Sequence, residues 1–157
     1  MAGVRKTPAI LVAFLVLGLL AVGVFAVLHW QTSPEDAAPI IALDYRQAAA
    51  YGTCEDATNY GIDVPGLAFE VTNDCEDSPV TTTAVSQSQM DRFLDGLDNS
   101  GIREWEDSYV DPDILDGSMF TIQVTYQDGT AQLVKGQNQW PPEWALFLDA
   151  LGELGIT

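Results

Sequence analysis

Histidine is nearly missing from this sequence, and positive charge is scarce. Among 157 residues there is one His, with six Lys and Arg against 23 Asp and Glu, a formal net charge of −17. The single His29 ends an apolar run rather than standing among polar residues. A Ser-His-Asp or Cys-His arrangement is therefore excluded from the rest of the chain. Cysteine is scarce too. Cys54 and Cys75 are the only pair, and if they are bonded no His/Cys set remains for zinc. No glycine-rich phosphate loop is present. No cofactor or metal site is expected. Nor is a nucleic-acid partner, because so acidic a chain repels phosphate.

One long apolar stretch is present. Arg5 and Lys6 precede AILVAFLVLGLLAVGVFAVL, Ala9 to Leu28, which carries no charged or polar side chain. At 1.5 Å per residue it spans about 30 Å, the thickness of a bilayer's hydrocarbon layer. His29 and Trp30 would stand at the interface. A secretory signal usually has a shorter apolar core, yet Val24-Phe25-Ala26 resembles a cleavage site. Two readings stay open, an uncleaved anchor and a cleaved signal. In both, the cations before the run keep the N-terminus inside and send the rest out. The expected organisation is a cytoplasmic N-terminus (1–8), a transmembrane anchor in the lipid bilayer (9–29), a linker (30–39) and an extracytoplasmic domain (40–157).

Beyond the run, four cations (Arg46, Arg92, Arg103 and Lys135) face all 23 acids, a net charge of −19. Such a surface favours cationic partners or simple solubility. In an oxidising compartment Cys54 and Cys75 are expected to form a disulfide. The carboxylates beside each sulfur (Glu55-Asp56 and Glu76-Asp77) argue against a nucleophilic thiol.

Periodicity outlines the domain. Ile41, Leu43 and Tyr45 alternate with polar or small residues and suggest a strand, although QAAAY favours helix. Thr53 to Gly66, rich in Gly, Asn, Asp and Pro, reads as loop. Leu67 to Val71 and Val80 to Val85 suggest a hairpin with a long tip. Ser86 and Gln89 have the spacing of a capping box ahead of Met90, Phe93, Leu94 and Leu97, one helical face ended by Asn99-Ser100-Gly101. Phe120 to Tyr126 starts a second hairpin. A two-residue Asp128-Gly129 loop would set Tyr126 opposite Ala131 and Val124 opposite Leu133. Pro141-Pro142 is expected to start a last helix that buries Trp144, Phe147, Leu148, Leu151 and Leu154.

The halves resemble each other. FLDGL at 93–97 matches FLDAL at 147–151, and Val71-Thr72 matches Val124-Thr125 at nearly the same offset. An amphipathic helix can write FLDxL by convergence; the matching offsets favour duplication. The expected fold is α+β: an antiparallel sheet of four to five strands with two helices on one face, in ββα-ββα order.

The most function-like stretch is WEDSYVDPDILDG, Trp105 to Gly117. As a calcium loop starting at Asp111 it places Asp113 at position 3, but Leu115 at 5, Asp116 at 6 and Ile122 at 12, which does not fit the standard loop. Paired carboxylates could hydrolyse glycosides, but acids are too plentiful here for a pair to be evidence. A structural connector is the favoured reading. Trp105 and Tyr109 would pack beneath it, while Asp111-Pro112 and Asp116-Gly117 turn.

The order W-x3-Y-x-D-P-D-x-L-D-G, a D-G hairpin, then G-x-N-x-x-P before a last helix resembles a group of uncharacterised bacterial proteins. Trp105, Tyr109, Asp111, Pro112, Asp113, Leu115, Asp116, Gly117, Asp128, Gly129, Gly136, Asn138 and Pro141 carry the resemblance, over roughly the C-terminal half of the exported part. The group's pattern places an aromatic two residues after the D-G turn, where this chain has Met119-Phe120 nearby. The resemblance implies a shared fold and no particular activity.

The functional expectation is an interaction module of the cell envelope rather than an enzyme. Its partner would be an envelope protein, a cationic peptide or a glycan. The candidate surface joins Trp105, Tyr109, Asp111, Asp113 and Asp116 to Asn138 and Trp140, with Gln137 and Gln139 beside them. In a competing reading Trp140 and Trp144 merely cover the core. The alternative function is a carboxylate-dependent hydrolase acting on envelope material.

Overall fold

A computed structural model describes residues 37–49, 51–114 and 116–156. The anchor expected at 9–29 and most of the 30–39 linker lie outside these residues. Among the described residues no helix is long and apolar enough to cross a membrane.

The compact unit beginning at Ala38 is α+β. Its strands are β1 (Ile40–Ala49), β2 (Thr58–Asp63), β3 (Ala68–Asn73), β4 (Thr81–Ala84), β5 (Ser108–Val110), β6 (Ser118–Tyr126) and β7 (Ala131–Gln137). Its helices are α1 (Gln87–Asn99), between β4 and β5, and α2 (Trp144–Glu153), after β7. The strands form one seven-stranded sheet in the order β4-β3-β2-β1-β6-β7-β5. Every neighbouring pair is antiparallel except β5 and β7, which are parallel.

This corrects the expected antiparallel sheet of four to five strands in ββα-ββα order. Two strands account for the difference. β2 lies in the stretch expected to be loop. Its turn-forming residues Asn59, Gly61 and Asp63 alternate with Tyr60 and Ile62, so its polar half faces outward and its apolar half inward. β5 is only three residues long, too short to show a period. It pairs with β7 because the chain returns there after α1 and a 3₁₀ turn at Ile102–Glu104.

Cross-strand pairing sorts the sheet into two faces. On one, Val71, Tyr60, Tyr45, Ile122 and Val134 form a continuous row, as do Phe69, Ile62, Leu43 and Val124. Both helices cover this face. Phe93, Leu97, Phe147 and Leu151 are at most 2 % exposed within the same core, each contributing roughly 1.5–3 kcal/mol by burial. An aromatic cluster fills the β1–β6 end. Tyr45 meets Phe147 edge-on at 5.4 Å, and Phe120 lies 4.6 Å from Trp144.

The helices cross where the FLDGL and FLDAL motifs coincide. A Cβ on Gly96 would stand 2.6 Å from the Cβ of Ala150, so the crossing needs a glycine. That outweighs the roughly 1 kcal/mol that Gly costs inside a helix. The capping box at α1 forms as expected. Ser86 Oγ accepts from the Gln89 N–H at 3.3 Å, and Gln89 Oε1 accepts from the Ser86 N–H at 3.1 Å. Gly101, at φ +68°, ends the helix.

Two local expectations need correction. The β6–β7 loop has three residues, not two. The Tyr126 N–H donates to Thr130 O at 2.9 Å and the Gly129 N–H to Tyr126 O at 3.0 Å, with Gly129 at φ +85°. A turn followed by a left-handed glycine adds one residue to the loop. The register slips by one, so Ile122 opposes Val134 and Gln123 opposes Leu133. A one-residue slip exchanges faces: Val134 is buried and Leu133 is 41 % exposed. Likewise, Pro141-Pro142 precede α2 rather than start it. Glu143 is left-handed at φ +54° and the helix begins at Trp144. Its buried face is Phe147, Ala150, Leu151 and Leu154, with Trp144 half-buried and Leu148 exposed.

Candidate functional site: the uncovered sheet face

The residues of WEDSYVDPDILDG divide into two groups. Trp105 and Tyr109 point into the core and are 6 % and 9 % exposed. Trp105 packs 5.6 Å from Phe147 and donates Nε1–H to Ser100 O at 3.2 Å. The Tyr109 hydroxyl accepts from the Glu106 N–H at 2.9 Å. The carboxylates lie outside. Asp111 Oδ1 accepts from the Asp113 N–H at 3.0 Å, an Asx turn, and Asp113 and Asp116 are exposed.

Asn138 fastens this turn to the sheet. Its Oδ1 accepts from the Ser118 N–H at 3.0 Å, and its Nδ2 donates to Asp116 O at 2.8 Å and Ile114 O at 3.3 Å. Its φ of +57° is one an Asn tolerates. Trp140 is 45 % exposed, at the rim of a 90 Å³ crevice that Gln47, Met119, Trp144 and Leu148 also line. The fold therefore joins Asn138 to the turn containing Asp116 and turns Trp105 and Tyr109 away from solvent. Among the described residues no group of three or more His, Cys, Asp or Glu is placed to hold a metal.

A larger polar surface lies on the face of the sheet opposite the helices. One row there reads Thr82, Glu70, Gly61, Asp44, Gln123, Leu133, and the next Thr72, Asn59, Arg46, Thr121, Lys135, Ser108. Gly61 has no side chain to fill its place between Asp44 and Glu70. Around it opens a depression of about 370 Å³, lined also by Arg46, Asn59, Thr72, Val80, Thr121 and Gln123.

The Cys54–Cys75 disulfide, expected from the sequence, forms with its Cα atoms 5.0 Å apart. It lies outside the lining of the depression and bears on it through Asp74, which binds the lining residues Arg46 and Asn59. Beside it the Asp74 N–H donates to Cys54 O at 3.2 Å. The Asp74 carboxylate then receives Arg46 Nε at 3.0 Å and Asn59 Nδ2 at 2.7 Å. These bonds, Arg46 first and Asn59 second, hold the Asp74 carboxyl below the usual carboxylate range. The same hydrogen bond raises the Arg46 pKa. Arg46 is thus fixed over the depression rather than free to sweep it.

Sequence reasoning missed this surface because it missed β2. The signal was there, in the alternation of Asn59, Gly61 and Asp63 with Tyr60 and Ile62, but the turn-forming residues concealed it. On the inner side of the same strands Tyr45 stacks on Tyr60 at 5.8 Å and donates its hydroxyl to Gln47 Oε1 at 2.8 Å. Burial, and secondarily Tyr60, pushes its pKa up to about 12.

No protein-family model matches the chain, and no curated protein matches it.

Proposed function

We propose that the chain is an extracytoplasmic binding module of the cell envelope, held at the membrane by residues 9–29, and that the uncovered sheet face is its binding surface. The observation that carries this reading is the depression over Gly61. It is concave, its charged and polar side chains stand around a largely apolar lining, and these groups are positioned by main-chain pairing and by Asp74 beside the disulfide. Rigid elements presenting amide, hydroxyl and charged groups suit recognition of a polar partner. A glycan, a cationic peptide or the polar surface of another envelope protein would each find donors and acceptors there.

A second reading has one observation in its favour. Asp44 and Glu70 flank Gly61 from strands on either side of β2, so their Cα atoms stand roughly 10 Å apart. A pair of carboxyl groups flanking the scissile bond is what glycoside hydrolases use. This pair would serve a carboxylate-dependent hydrolase of envelope material.

Gly61→Arg tests the first reading. A Cβ at Gly61 meets nothing nearer than Asp44 Oδ1 at 3.5 Å, so the variant should fold with the depression filled. Full-length protein should capture a partner from envelope extracts, and Gly61→Arg should lose it without a change in melting temperature. Capture undiminished by Gly61→Arg would reject this surface. Polysaccharide cleavage that disappears in both Asp44→Asn and Glu70→Gln would favour the hydrolase.

A further inference from the structure

The outer edge of the sheet at β4 differs from the opposite edge. β4 pairs with β3 alone. The Val85 N–H donates to Leu67 O at 2.8 Å, and these two residues continue the register of Ala68 with Ala84. Antiparallel pairing alternates. Thr81 and Thr83 therefore direct their main-chain groups toward β3, while Thr82 and Ala84 direct theirs outward. Unprotected edges of this kind are normally blocked by charge, proline, a bulge or brevity. Thr81–Ala84 is only four residues long, but it has no charge and no proline, keeps an unbroken register and exposes all four side chains. β5, at the far edge, has three residues set between Glu106-Asp107 and Asp111-Pro112.

We propose that β4 is a docking edge, to which an extended basic segment of a partner protein adds as a further strand. The inference rests on the binding-module reading and names its partner. Main-chain groups of Thr82 and Ala84 supply the hydrogen bonds, as in other strand additions. Charge selects the occupant. Glu70 stands beside the edge, its Oε1 accepting from the Thr82 hydroxyl at 3.3 Å. The loop entering β4 carries Asp74, Glu76 and Asp77. With four cations against 23 acids beyond residue 30, a second copy meeting this edge would be repelled and a basic strand attracted. Side chains alternate across a strand, so a segment alternating basic and aliphatic residues sets all its cations on the face that carries Glu70 and Thr82.

The test uses full-length protein in phosphatidylcholine nanodiscs, with empty nanodiscs as blank. The probes are a synthetic peptide alternating Lys and Val, the same peptide N-methylated at alternate residues, and a Glu-for-Lys version. The Lys–Val peptide should bind, weaken with salt, and slow hydrogen exchange at the Thr82 and Ala84 amides. N-methylation should weaken it about tenfold or more, since it removes main-chain bonds and keeps the charge. The Glu version should not bind. Thr82→Pro removes only an outward N–H and should give a similar loss. If that variant unfolds, the N-methylated peptide on the unaltered protein decides. Equal binding of the N-methylated peptide would overturn strand addition, leaving charge alone. So would a dimer that Thr82→Pro dissolves, because the edge would then belong to a second copy. If no peptide binds while Gly61→Arg still abolishes envelope capture, the edge proposal fails and the binding module stands.

Discussion

Replacing Asn138 by Ala should release the acidic turn from the sheet, at a cost that can be built from its parts. The amide makes three hydrogen bonds, to the Ser118 N–H at 3.0 Å, Asp116 O at 2.8 Å and Ile114 O at 3.3 Å. Each neutral bond contributes about 0.5–1.5 kcal/mol net. The longest is weak and all three are near solvent, so the set contributes roughly 2 kcal/mol. Ala must also hold φ +57°, which costs roughly 1 kcal/mol more for a residue with a plain Cβ. Asn138→Ala should therefore lose about 3 kcal/mol, and Asn138→Gly, free of the backbone term, about 2 kcal/mol. Urea unfolding followed by the fluorescence of buried Trp105 and half-buried Trp144 measures both. Hydrogen exchange at the Ser118 amide should accelerate in both. If Ala and Gly lose the same, the backbone argument is wrong. If both stay within about 0.5 kcal/mol of the parent, as neutral surface changes do, Asn138 does not hold the turn.

Four further outcomes are expected. Gly136→Ala would place a Cβ within 2.6 Å of three ring atoms of Phe120; it should cost about 1–3 kcal/mol by overpacking. Phe120→Leu should relieve much of that, so additive costs in a double-mutant cycle would refute the contact. Removing the Cys54–Cys75 bond by Cys→Ser at both positions should cost up to about 3 kcal/mol in the loop-closure account. It should also let the Asp74 carboxyl rise toward its ordinary value, which a carboxyl NMR titration would show. Because the folded state depresses Asp74, its stabilising contribution is complete above the ordinary carboxylate value and lost as pH falls through the depressed one. An acid unfolding curve unchanged by Asp74→Asn would contradict this. Tyr45 acts in the opposite direction. Its folded pKa of about 12 lies above the ordinary 10.0, so its contribution is intact below pH 10 and lost as pH rises toward 12. Tyr45→Phe should flatten the alkaline melting profile.

The elements legible in the sequence were those with a strong period. α1 showed both its capping box and its buried face, because Ser86, Gln89, Met90, Phe93 and Leu97 each have one local reason for their place. The β3–β4 hairpin and β6 showed alternation. β2 did not, because a strand with one uncovered face can carry Asn, Gly and Asp on that face, and these read as turn. The slip at Asp128-Gly129 has a different origin: the dipeptide suits both two- and three-residue loops, Gly129 is left-handed in either, and only Asp128 separates them, since a two-residue turn would need it left-handed and it is not. The same ambiguity concealed the candidate site, since its depression exists only once Asp44, Gly61 and Glu70 are side by side. The disulfide was legible from the even cysteine count and the expectation of an oxidising compartment.

The central position of β1 has a consequence for the order in which the chain assembles. β1 is the first of the described strands to emerge when the chain is made, yet it pairs on one side with β2 and on the other with β6. A half-sheet of β4-β3-β2-β1 can form early, covered in part by α1. Until β6 arrives, the main chain of β1 is open along its length, and Leu43 and Tyr45 lack Val124 and Ile122 beside them. Pairing so distant in sequence forms slowly. The interval leaves a long apolar edge open to other chains. The step most exposed to misassembly is therefore the wait of β1 for β6, and slowing β6, for instance by Val124→Pro, should increase aggregation during folding more than it slows the formation of α1.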